Sequence, residues 1–193
     1  MSKFAVLAVA AAAGVASGQF FSDFEADNGG LIASGDWEWG SPVGADGTAL
    51  GGFGGVEPTG GFSGNNAWGT VLGGLHNPNG FSELTLSGVD LGAAVELSWW
   101  EWQDSGGNTF DAGRVLVDGT EVYLSDGGPT EWRNVVIDLS GFSGTGDITF
   151  EFSTTGVVER VGWYIDDLSV AVPTPGAAAV LGLGGLAAIR RRR

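Results

Sequence analysis

Between residues 19 and 171 no run of the chain carries a helical hydrophobic period. Short runs of β-branched and aromatic residues instead alternate with clusters of glycine, asparagine, aspartate and serine. The alternation is explicit in places. Ile148, Phe150 and Phe152 point one way while Thr149, Glu151 and Ser153 point the other, and Val95, Leu97 and Trp99 share a face. A chain with 36 glycines and no collagen-like triplet period, patterned in this way, predicts an all-β domain with many turns. The strand candidates are Gln19 to Phe24, Trp37 to Trp39, Trp68 to Leu72, Glu83 to Ser87, Ala94 to Trp102, Arg114 to Val117, Glu121 to Leu124, Trp132 to Leu139, Asp147 to Ser153 and Val161 to Val170. Nine or ten strands without a helix argue for two packed antiparallel sheets.

Local chemistry sets some of the connections. Asp118-Gly119 lies between alternating runs, and both positions tolerate positive φ, so a tight hairpin is expected there. In the last strand Trp163 and Ile165 share one parity while Leu168 and Val170 share the other. A β-bulge at Asp166-Asp167 would account for the switch and re-aim a carboxylate. Gly40 to Asn66 holds ten glycines in 27 residues. A stretch this long is either a flap beside a binding face or a mobile surface loop, and the bland reading is preferred.

Charge narrows the partners. Every one of the 23 acidic residues lies between residues 19 and 171, against three arginines, Arg114, Arg133 and Arg160, which gives that stretch a formal charge of −20. Such a field repels phosphate backbones and excludes nucleic acid as a partner. With no cysteine, the domain is held by its core, by bound metal, or by both.

The termini differ from the middle. Lys3, the apolar run Phe4 to Val15 and the small residues Ala16-Ser17-Gly18 have the layout of a secretory signal peptide over residues 1–18, with cleavage expected after Gly18. At the other end, Gly176 to Ile189 has no charged or polar side chain, so its helix would be apolar all round and suited to lipid. Its 14 residues fall short of the roughly 20 that span a bilayer. The arginines beyond it would stay cytoplasmic. Pro173 and Pro175 would separate this helix from the folded part, residues 19–171.

Pro173, Thr174 and Pro175, the short apolar helix, and Arg190, Arg191, Arg192 and Arg193 at the very end together resemble the PEP-CTERM sorting signal of exported bacterial proteins. Thr174 stands where that family usually has Glu. The resemblance covers residues 172–193. It implies handling by a membrane exosortase, membrane anchoring through the C-terminal helix, and delivery to the cell surface or extracellular matrix.

Asp23-Phe24-Glu25, Trp37-Glu38-Trp39-Gly40, Ala67-Trp68-Gly69-Thr70 and Gly162-Trp163-Tyr164-Ile165-Asp166-Asp167 resemble the MAM-like and carbohydrate-binding jelly rolls. That likeness implies a two-sheet antiparallel jelly-roll sandwich with adjacent first and last strands. It also implies a structural Ca²⁺ held near their ends by Glu25 with Asp166, Asp167 or both, and Asp27 as a helper. Calcium takes six to eight oxygens and needs neither His nor Cys. The alternative is that these acids are solvated turn residues or caps on backbone amides.

A second candidate site is Trp99-Trp100-Glu101-Trp102. If Trp99 faces the core, Trp100 and Trp102 face outward about 7 Å apart, a spacing suited to stacking on sugar rings, with Glu101 as a nearby acceptor. If the glycine-rich stretch covers that face, both tryptophans are ordinary core, which is the commoner outcome. His76, the sole histidine, sits in a turn and reads as a surface residue. No Gly-x-Ser-x-Gly elbow is present, and Glu101 with Asp104 is the nearest approach to a glycosidase carboxylate pair. The expectation is therefore a non-enzymatic, exported module that binds polysaccharide, with a purely structural matrix protein as the alternative and a glycosidase behind both.

Overall fold

The computed structural model describes residues 17–128 and 130–173. The expected signal segment lies, up to residue 16, outside the described residues, as do Thr174, Pro175 and Arg190 to Arg193. Among the described residues eleven strands form two antiparallel sheets, and no helix occurs. One sheet runs β3 (Trp37–Gly40), β4 (Ala67–Thr70), β11 (Gly162–Val172), β6 (Glu96–Asp104) and β9 (Arg133–Asp138), with β1 (Ser17–Ser22) also paired to β11. The other runs β2 (Ile32–Ala33), β5 (Phe81–Asp90), β10 (Thr145–Thr154), β7 (Asp111–Val117) and β8 (Thr120–Leu124).

Ten of these strands fall on the predicted segments; the two-residue β2 carries no sequence signal. Phe24, placed inside the first predicted strand, adopts a φ of 55° just beyond β1 and turns its ring into the core. β1 starts at Ser17, two residues ahead of the expected cleavage point. Phe20 to Ser22, which lie beyond that point, still face Val170 to Leu168. The first and last strands are adjacent, as the jelly-roll likeness implied.

The period-two pattern closes the sandwich. Ile148, Phe150 and Phe152 of β10 meet Leu97 and Trp99 of β6 and Trp163 and Ile165 of β11 in one core, with Trp99 edge-on to Phe150. Fully burying side chains of this kind contributes about 1.5–3 kcal/mol each. Val95 departs from its expected face: it precedes β6 and stays exposed. The Asp118-Gly119 turn has positive φ at both positions, 48° and 75°, as a two-residue hairpin of type I′ requires.

The bulge in β11 lies at the two aspartates. Its register against β6 shifts between Asp166 and Ser169, and Asp167 has a φ of 47°. Trp163 and Ile165 before the bulge and Leu168 and Val170 after it all reach the core. Asp166 pairs directly across from Trp100, and Tyr164 from Trp102. Residues directly opposite in a ladder share a face, so Asp166, Tyr164, Trp100 and Trp102 form two rows on the outer side of the sheet.

Candidate functional site

That outer face is roofed by the Gly40 to Asn66 stretch. The stretch is a hydrogen-bonded structure, which corrects the expectation of a mobile surface loop. Glu57 organises it from within: Oε2 accepts the amides of Val43 and Ala45 at 3.0 and 3.1 Å, and Oε1 accepts that of Gly73 at 2.8 Å. An isolated bridge joins Asp46 to Val56. Three amide donors converging on one buried carboxylate satisfy backbone groups that a loop over a sheet cannot expose to water.

Further along, the same roof rests on the candidate metal ligands. Glu25 Oε1 accepts the amides of Asn65 and Asn66 at 2.8 and 2.6 Å. Asp166 Oδ2 accepts that of Ser63 at 2.9 Å, and the Ser63 hydroxyl donates to Asp167. A Cβ on Gly64, whose φ is +82°, would stand 2.7 Å from Glu25 Oε2, so only glycine allows the loop to sit this close. Glu25, Asp166 and Asp167 therefore converge on one short segment. Asp27 does not join them: it is exposed, and its Oδ1 accepts the Gly29 amide in a local turn.

The group suits calcium in donor type, being all oxygen. Among the described residues, however, no three His, Cys, Asp or Glu side chains stand close enough to enclose a metal ion, so loop oxygens would have to complete a coordination sphere. Asp166 is fully buried. Its burial pushes its carboxyl up to about 7; the neighbouring Asp167 charge adds to this, while the amides of Ser63, Asp167 and Phe62 oppose it.

The roof also covers the tryptophans. Phe62 stacks on Trp100 with centroids 3.6 Å apart and planes 8° from parallel. Trp132, just before β9, stands edge-on to Phe62 at 6.4 Å and to Trp102 at 6.2 Å. Trp100 and Trp102 do point outward, yet both are half-buried beneath the loop and Trp132. The ring left facing solvent is that of Phe62, 41 % exposed. Beside it a cleft of about 440 Å³ opens between Val56 to Thr59 and Gly61 on one wall and Trp102 and Trp132 on the other.

Glu101 is not part of this face. It is 1 % exposed and points into the sandwich, where its oxygens accept from Tyr123, Arg133 and the indoles of Trp99 and Trp163. The expectation that it would serve as an acceptor beside Trp100 and Trp102 is corrected by strand parity: residue 101 alternates with both. Asp104 lies on the other side of the strand, paired with Arg160 Nη1 at 2.8 Å. Glu101 and Asp104 therefore share no cleft, and the carboxylate-pair geometry of a glycosidase is not assembled from them. His76 is also corrected. It is 1 % exposed, accepts the Arg160 amide at 3.2 Å, and packs edge-on against Phe152, 3.4 Å from the Asp111 carboxylate.

Phe62 and Trp132 are the residues that sequence reasoning missed. Phe62 is a lone aromatic among glycine, serine and asparagine, a signal of sorts, and in the sequence Trp132 marks only the start of a predicted strand.

No protein-family model and no curated protein sequence matches the chain. Among solved structures it is similar to the K2 cleaved adhesin domain of Lys-gingipain, at 14 % identity and a TM-score of 0.49, covering 78 % of this chain and 98 % of that one. It is also similar to the CBM51-2 and INT domains of Clostridium perfringens ZmpB, at 13 % identity and a TM-score of 0.42, covering 73 % of this chain and 29 % of that one. A third is the C-terminal CBM6 of the laminarinase LamC from Zobellia galactanivorans, at 13 % identity and a TM-score of 0.41, covering 72 % of this chain and 90 % of that one.

Proposed function

We propose that the domain is a non-enzymatic carbohydrate-binding sandwich, exported and held at the cell surface by its C-terminal segment. The observation that carries this reading is the aromatic corner of Phe62, Trp102 and Trp132 beside an open cleft on the outer face of the β6 sheet. Flat indole and phenyl faces complement the C–H faces of pyranose rings, and the exposed Thr59 on the facing wall supplies orientation. Trp100 serves as the stacked support that holds Phe62 in place, which makes it a positioning residue. Replacing Trp132 by alanine in the full-length protein should weaken binding on a glycan array by about 10- to 100-fold, the worth of one stacked aromatic anchor at a binding site. Circular dichroism should remain unchanged. Absence of any binding by the parent protein at millimolar sugar would favour a structural matrix component instead.

Calcium belongs to the same proposal. Glu25, Asp166 and Asp167 supply oxygens at the point where the roof is fastened to β11, so a cation there would hold the loop that carries Phe62. Chelation should lower the melting temperature, and Asp167→Ala should remove the effect; an unchanged melting curve on chelation speaks against a structural ion.

The anchoring role rests on the sequence layout of Pro173 to Arg193. Fused to a periplasmic reporter, this segment should send the reporter to the membrane fraction or leave it trimmed. A reporter that stays untrimmed and freely soluble would refute the address.

A further inference from the structure

Two Asn-Gly dipeptides occur in the sequence, Asn28-Gly29 and Asn79-Gly80, and the fold holds them differently. An asparagine before glycine is open to loss of its side-chain amide, because the next backbone nitrogen reaches the carboxamide carbon with no Cβ in the way. At Asn28 three hydrogen bonds oppose this. Its Oδ1 accepts the Gly30 amide at 3.0 Å, its Nδ2 donates to the Leu31 carbonyl at 3.4 Å, and the Gly29 amide is held by Asp27 Oδ1 at 2.8 Å. Asn79 is exposed in the Asn77-Pro78-Asn79-Gly80 turn, at a left-handed φ of 53°. Its carboxamide lies against Gly156, where a Cβ would stand 2.8 Å from Nδ2, and makes no hydrogen bond among the described residues. Only the Gly80 amide is tied, to Thr154 Oγ1 at 2.8 Å.

We infer that Asn79 is a self-modification site, converting to aspartate and isoaspartate in the folded protein while Asn28 is protected. The Gly80 nitrogen forms a bond to Asn79 Cγ, the Cγ–Nδ2 bond breaks, and Nδ2 leaves as ammonia with the proton from Gly80 N. Water then opens the cyclic imide at one of its two carbonyls. One opening gives aspartate; the other reroutes the main chain through Cγ and gives isoaspartate. The consequence is local. The turn is joined to the end of β10 by Asn79 N to Thr155 O at 3.2 Å and Thr154 N to Gly80 O at 3.0 Å. The extra main-chain carbon of isoaspartate moves Gly80 out of register with Thr154. The new carboxylate also adds like charge near Asp36, which accepts from Asn77 N and Nδ2 at 2.8 and 2.7 Å.

The test is peptide mapping by mass spectrometry of the full-length protein aged in mildly alkaline buffer, once folded and once in urea. In the folded protein Asn79 should convert at least about tenfold faster than Asn28, the worth of two additional hydrogen bonds to be broken at Asn28. Isoaspartate should appear alongside aspartate, and protein enriched in it should melt below fresh protein. In urea the two rates should converge, because the difference belongs to the fold. Equal rates in the folded protein, or faster conversion at Asn28, overturn the inference. So does a folded Asn79 that yields no isoaspartate, since direct hydrolysis of the amide gives aspartate alone.

Discussion

Glu101→Ala should lower the stability of the domain by about 3–4 kcal/mol, near the low end for breaking a buried charge pair because Arg133 is still partly open to water. The reason is the number of groups that depend on one side chain. Glu101 Oε1 accepts the Tyr123 hydroxyl at 2.6 Å and Arg133 Nε at 2.7 Å, while Oε2 accepts Trp163 Nε1 at 3.0 Å and Trp99 Nε1 at 3.4 Å. Truncation leaves two buried indole N–H groups and a half-buried phenol without their acceptor, and each buried unsatisfied group costs about 1–3 kcal/mol before relaxation. Arg133 also bonds the Tyr123 hydroxyl at 2.7 Å, so the network relaxes as a unit. Burial, followed by the Glu101 charge, keeps the Tyr123 phenol protonated well above its ordinary range, so it acts as donor throughout. For a domain of this size the loss corresponds to a fall of roughly 6–16 °C in melting temperature. Glu101→Gln should fall between, since its amide can accept from one side only. A Glu101→Ala variant within 1 kcal/mol of the parent would show that the network contributes specificity and not stability.

Asp166 gives the second large effect, with a sign that the proposed calcium would reverse. Without metal, the folded-state carboxyl titrates at about 7, against the ordinary 3.8. Between these values the folded protein holds a proton that the unfolded chain has released. Stability therefore rises as pH falls from about 7 toward 4, and is lost as pH rises through 7. The full difference corresponds to as much as about 4 kcal/mol. A bound cation favours the ionised carboxylate, so with calcium in excess the slope should reverse, the protein weakening on acidification. Urea midpoints taken between pH 7.5 and 4.5, with and without calcium, measure both arms. Asp166→Asn should flatten the apo slope, and a slope that persists in that variant would assign it to other groups. A metal-free slope that is unchanged by calcium would count against ion binding at this point.

The strands were legible because a strand announces itself within a few residues. Ile148, Phe150 and Phe152 alternate with polar neighbours and are buried together. Trp163 and Ile165 against Leu168 and Val170 revealed the bulge at Asp166-Asp167 from parity alone. Asp118-Gly119 specified its turn because few residues tolerate two positive φ values in succession. The site was less legible. Strand alternation separates Glu101 from Trp100 and Trp102, so parity alone keeps it off the tryptophan face. Nothing local, by contrast, says that Phe62 comes to rest on Trp100, 38 positions away, or that Trp132 closes the corner.

By itself the sequence determined the all-β class, ten of the eleven strands and the residues whose side chains share a face, since these follow from a backbone period of two and from turn chemistry within four residues. Only the tertiary structure decided that the glycine-rich stretch is a fastened roof, that His76 is buried, and that Phe62 is the exposed ring over Trp100. Those outcomes hang on contacts between distant segments, such as Glu57 with Gly73, Glu25 with Asn65 and Asp166 with Ser63. Each is a carboxylate meeting backbone amides far along the chain, a pairing that residue type permits almost anywhere and only the packed sheets bring within reach.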